Sequence, residues 1–69
     1  KFEEVAYYIV RNQNSSANAI AQEFNMGYNR TNNIILALER LGVVSSVVRG
    51  KQREVLVNEV ELEMILNEL

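Results

Sequence analysis

The 69-residue sequence has no cysteine and no histidine. The first absence excludes a disulfide framework, and the two together exclude the common structural zinc sites, so packing alone must hold the fold. They also remove the thiol nucleophile and the usual general base, which argues against an enzyme. No carboxylate pair, glycine-rich phosphate loop or Ser/Lys constellation takes their place, and we expect no cofactor and no metal. Glu59, Glu61 and Glu63 alternate around a helix rather than converging on an ion. No apolar run is long enough to span a bilayer and no signal-peptide pattern occurs, so we expect a cytoplasmic domain with no membrane contact of its own. Internal repeats, linkers and low-complexity stretches are missing as well. The chain begins with Lys1 rather than methionine, from which we expect a segment of a larger protein.

What is present is 48% hydrophobic and 23% charged, a globular rather than a disordered balance. The length makes one small domain, near the size at which a single core is only marginally stabilising. A net charge of −2 argues against a nucleic-acid partner until its distribution is considered. Residues 58–69 hold four acids (Glu59, Glu61, Glu63, Glu68) and no base, so the remainder has seven bases against five acids, or +2. Arg49, Lys51 and Arg53 fall within five positions of one another.

Helical periodicity predicts a first amphipathic helix over residues 1–11, with Phe2, Val5, Ala6, Ile9 and Val10 inward. Asn12-Gln13-Asn14 ends it, since short polar side chains compete for backbone hydrogen bonds. Tyr7 and Tyr8 cannot share one face, so one should pack and the other lie on the rim. Ser15 or Ser16 can cap a second helix to residue 24, with Ala17, Ile20, Ala21 and Phe24 inward. Asn25-Met26-Gly27 makes a short turn with Asn25 or Gly27 left-handed, and a third helix then runs to a stop at Gly42. Ile34, Ile35, Leu38 and Leu41 give that helix an apolar face. Residues 43–48 are rich in β-branched residues and read as a first strand, 49–52 read as a turn and 54–57 as a second strand, a β-hairpin with a basic tip. Asn58 can cap a last helix with Glu61 in the capping-box position. Its apolar residues Val60, Leu62, Met64, Ile65, Leu66 and Leu69 are too many for an exposed helix, so it should pack on the body or on a partner. The expected fold is therefore α+β. It comprises a small winged helix (helix-turn-helix plus β-hairpin wing) over residues 1–57 and an additional acidic C-terminal helix over residues 58–69 packed on it.

The third helix carries the chemistry. A groove-reading helix presents hydrogen-bonding side chains near its N-terminus, where asparagine suits adenine and arginine suits guanine or phosphate. Asn29, Arg30, Asn32 and Asn33 are the base-reading candidates, and Tyr28 and Thr31 beside them are phosphate candidates. The competing reading is that the asparagines merely begin a solvated helix. Asparagine is a poor helix former, and its repeated use just past a glycine turn favours binding. Arg49, Lys51 and Arg53 would meet the phosphate backbone. Alone they would be an ordinary solvated turn, and only their coupling to a helix-turn-helix makes them a contact. Glu23, on the helix before the turn, would repel phosphate if it faced DNA.

One family unites these features. Gly27-Tyr28-Asn29-Arg30, then Ile35, Leu38-Glu39, Gly42-Val43-Val44-Ser45 and Arg53-Glu54-Val55-Leu56, resemble the C-terminal gamma domain of FtsK/SpoIIIE-type DNA translocases over residues 2–57. The resemblance implies a winged helix at the end of a hexameric DNA pump anchored in the inner membrane. It also implies recognition of short, polar, G-rich duplex sequences that orient translocation, and contact with an XerD-like tyrosine recombinase. In the family, several copies share one DNA site, so affinity arises from effective concentration. Asn29, Arg30 and Arg53 match the family pattern. Three places depart from it: Asn33 stands where the family has a base-contacting arginine, Leu36 where it often has an acid, and Gln22-Glu23 where it tends to have a basic pair. An asparagine cannot make the bidentate guanine contact an arginine makes, so the departures imply an altered target sequence.

The leading expectation is thus a double-stranded-DNA-binding module of a DNA translocase. A winged helix turned protein-interaction module, using Leu36 and Val48, is the alternative from another class. A transcriptional regulator of a mobile element would share the fold and lack the motor.

Overall fold

A computed structural model describes all residues, Lys1–Leu69. It holds four helices, α1 (Phe2–Asn12), α2 (Ala17–Glu23), α3 (Tyr28–Arg40) and α4 (Glu59–Asn67). Each begins or ends where local chemistry dictates. Gln13 closes α1 in the left-handed conformation (φ 51°), and Ser16 caps α2 by accepting a hydrogen bond from the Ala19 N–H. Asn25, not Gly27, is the left-handed residue of the turn between α2 and α3 (φ 51°), a region asparagine tolerates better than most residues. Gly27 is extended and is the N-cap of α3. Gly42 takes φ +83° just past α3, where a side chain would be strained. The predicted capping box forms on α4: Asn58 accepts from the Glu61 N–H at 2.8 Å, and Glu61 accepts from the Asn58 N–H at 3.0 Å.

The core draws on every helix and on residues 43–44. Val5, Ala6, Ile9, Val10, Ile20, Ile35, Leu38, Val43, Val44 and Leu62 form one buried cluster. α1 lies at its centre, in contact with α2, α3 and α4, while α2 packs on α3. α4 touches no helix other than α1. Tyr8 packs edge-on against Phe24 at 5.6 Å, whereas Tyr7 carries the Arg11 guanidinium over its ring at 4.8 Å. Both tyrosines are half-buried and pack against the core, so the expected division into a packed one and a rim one does not occur.

The expected strands do not form as regular strands. Residues 43–57 double back on themselves, but only two isolated antiparallel bridges occur, Val44 with Val55 and Val48 with Lys51. Side chains intercept the groups a ladder would use. The Ser45 hydroxyl accepts from the Glu54 N–H at 2.8 Å, and the Arg53 guanidinium donates to the Ser45 carbonyl at 3.0 Å. Local side-chain bonds of this kind compete directly with sheet pairing. Ser45 N–H to Glu54 O and Leu56 N–H to Val43 O, both 2.9 Å, flank the first bridge and are what remains of the ladder near it.

Candidate nucleic-acid interface

The rotation of α3 about its axis is set by its buried residues. Thr31, Ile35 and Leu38 face the core at i, i+4 and i+7. At 3.6 residues per turn, Asn29, Asn33, Leu36 and Arg40 then share an arc of roughly 60° on the opposite side. All four are exposed. Arg30 is exposed on one flank of this stripe, and half-buried Asn32 lies on the other. Two amides, an apolar side chain and a terminal cation therefore line the outward surface. The first turn contains no acid, and Gly27 supplies no side-chain cap, so the leading N–H groups of α3 keep their attraction for an anion.

The basic candidates fall into two kinds. Arg49 and Lys51 are exposed on either side of Gly50, whose φ of +80° makes the reversal, closed by the Lys51 N–H donating to Val48 O at 3.0 Å. Arg53 is different. Its side chain is only 10% exposed and is paired with Glu39 of α3. Its guanidinium also donates to Ser45 O, and its own carbonyl accepts from the buried Ser15 hydroxyl at 2.6 Å. Glu39 in turn accepts from the Ser46 hydroxyl at 3.3 Å. The hydrogen bond from Arg53 holds the Glu39 carboxyl below its ordinary value of 4.5, against a smaller opposing effect of burial. Arg53 is thus a clamp between α3 and residues 43–57, and its charge is already matched.

Tyr28, the first residue of α3, is 59% exposed. Thr31 is not. It is fully buried, and its hydroxyl donates to Gly27 O at 3.0 Å, which closes the first turn of α3 internally. The structure therefore corrects the assignment of Thr31 and Arg53 to phosphate. Leu36 and Val48, the candidates for a protein partner, are both exposed, and so is Val47 at 67%. Glu23 is exposed at the end of α2. Arg40, at i+11 from Asn29, completes the exposed stripe.

Shallow grooves on α1 (Glu3, Glu4, Tyr7, Tyr8, Arg11, Asn12) and on α4 (Val57, Glu61, Met64, Ile65, Glu68) complete the surface. No group of three acids converges in either, or anywhere else, to hold an ion. No helix is long and apolar enough to cross a membrane.

A short helix turned through a left-handed asparagine into a longer one, with a polar outward stripe, defines a helix-turn-helix-like domain. The family-level description follows from direct comparison: the Ftsk gamma domain model matches residues 1–58, and the chain belongs to that family. It is 38% identical over 69 residues to the DNA translocase FtsK of Chlorobaculum tepidum, covering 99% of this chain and 9% of that protein. The DNA translocase FtsK of Bacillus cereus is 35% identical over 60 residues, with 87% and 8% covered. DNA translocase FtsK 1 of Neisseria meningitidis serogroup B is 33% identical over 55 residues, with 80% and 7% covered. The chain therefore spans less than a tenth of the relatives it resembles.

Proposed function

We propose that this domain is a winged-helix module that binds double-stranded DNA and directs a DNA translocase along it. α3 enters the major groove, and residues 43–57 serve as the wing. Residues 1–57 are the binding unit, with α4 an appendage on α1. The observation that carries the reading is the outward stripe of α3, where Asn29 and Asn33 stand opposite the buried Thr31, Ile35 and Leu38. Arg30 reaches a base or a phosphate beside them, while Tyr28, Arg49 and Lys51 hold phosphates. The motor belongs to the rest of a translocase, and this domain works on the cytoplasmic side with other copies of itself on one DNA site. A single copy binds weakly for that reason.

The test is a titration of the isolated domain with a mixed-sequence duplex at low salt, followed by amide chemical shifts. Shifts concentrated at residues 28–33 and 49–51 are the expected result. No change at those residues with any duplex would sink the proposal.

Exposed Val47 and Val48 favour a second, compatible reading, in which the wing tip touches a protein such as an XerD-like tyrosine recombinase. Capture of that recombinase by the wild-type domain, undiminished in a Val48→Ser and Leu36→Ser variant, would count against it.

A further inference from the structure

On the outward stripe of α3 the one cation, Arg40, stands at the far end, and the positions before it carry two amides and Leu36. Guanine offers two acceptors, O6 and N7, to the major groove, which an arginine or lysine satisfies. Adenine offers an acceptor and a donor, N7 and N6–H, which a single side-chain amide matches with its own donor and acceptor. Asn29 and Asn33 are both exposed on the stripe and supply that pattern. Leu36, one turn beyond Asn33, is 36% exposed and has no hydrogen-bonding group at all. Against a G·C pair it would strip water from guanine O6 or cytosine N4–H and return nothing, leaving a polar group unpaired. Against thymine it would cover the 5-methyl group, the one apolar feature of the major groove. The buried Thr31, Ile35 and Leu38 fix the roll of the helix, so these side chains cannot be exchanged for others by rotation.

We propose that the α3 stripe selects adjacent A·T pairs, with Asn33 paired to adenine N6 and N7 and Leu36 seated on a neighbouring thymine methyl. The inference rests on the DNA reading above and specifies its text. Arg30, on the flank, supplies a contact outside this pair of steps.

The experiment is selection from a duplex pool with a randomised centre. The selected duplex is then titrated in two forms, with thymine and with deoxyuridine at the selected positions. Enrichment of adjacent A·T steps is expected. Loss of the methyl should weaken wild-type binding about fourfold, from the transfer of one buried carbon. The same loss should be without effect on Leu36→Ala, which keeps an intact core because Leu36 lies outside it. Asn33→Ala should reduce the preference for adenine by about five- to 150-fold. Enrichment of G·C steps, or an equal methyl effect in wild type and Leu36→Ala, would overturn the inference. Duplex binding without any enrichment would overturn it while leaving the DNA reading standing, and absence of duplex binding would overturn both.

Discussion

Leu62→Ala tests whether α4 is an integral part of the domain. Leu62 is the one fully buried residue of α4, and α1 is the only helix α4 touches. Truncation to alanine removes three carbons, or ~2.4 kcal/mol of transfer free energy at ~0.8 kcal/mol each. A residual cavity would raise that toward the ~5 kcal/mol upper end for such changes. The site is open on its outer side, with Val60, Met64 and Leu69 all more than half exposed, so the helix can settle inward and the cost should stay near ~2–3 kcal/mol. A domain of 69 residues has a total stability of roughly 3.5–10 kcal/mol, so the loss is a large fraction of it. The melting temperature should fall by about 10–20 °C. Urea unfolding followed by circular dichroism gives the loss, and amide exchange shows where it acts. Amides of α4 should lose protection before those of α1 and α3. A loss below about 0.5 kcal/mol, the range of a surface substitution, would refute the idea that Leu62 anchors α4 to the core.

Other consequences are equally direct. Thr31→Val should cost about 1 kcal/mol in urea unfolding while leaving duplex affinity unchanged, because the hydroxyl serves Gly27 O and not the ligand; a weakened duplex affinity would instead show a lost phosphate contact. Lys51→Ala should reduce the slope of log affinity against log salt by about 0.9, whereas Arg53→Gln should leave that slope unchanged, since Glu39 already neutralises Arg53. The lowered Glu39 carboxyl means that its contribution to stability is present above its ordinary value of 4.5 and is lost as pH falls through the lower folded-state value. Acid titration of Glu39→Gln should accordingly show a flatter decline than wild type over that window, and parallel curves would show that the Arg53 pairing does not matter to folding.

Local signals were legible in the sequence and distant ones were not. The α2 cap, the turn before α3 and the Asn58–Glu61 box each involve residues within three positions of one another, so spacing announces the box outright and narrows the other two to Ser15 or Ser16 and Asn25 or Gly27. The helical faces were readable for the same reason. Thr31 was misjudged because its chemistry suggested a ligand, although its register with Ile35 and Leu38 places it inside. Arg53 was misjudged because its partners, Glu39 and Ser15, are 14 and 38 residues away and no local pattern connects them. The hairpin reverses as expected but lacks regular strands: β-branched composition promised strands, but Ser45 and Arg53 satisfy backbone groups with side chains from across the turn. The outward stripe of α3 lay between these cases. Its N-terminal half was visible as a run of polar residues and Leu36 as a candidate for a partner, whereas Arg40 joins them only through its spacing from Asn29.

The clamp at Arg53 also divides the surface into parts that can change at different rates. Substitutions at Glu39, Ser45, Ser15 or Arg53 disturb the joint between α3 and residues 43–57, and so are felt throughout the fold. Beyond that joint, Arg49, Gly50, Lys51 and Gln52 are exposed and are tied back only by the bridge between Val48 and Lys51. A lineage carrying this domain can therefore lengthen, shorten or recharge the tip without moving the outward side chains of α3. The tip and the α3 stripe are separately heritable.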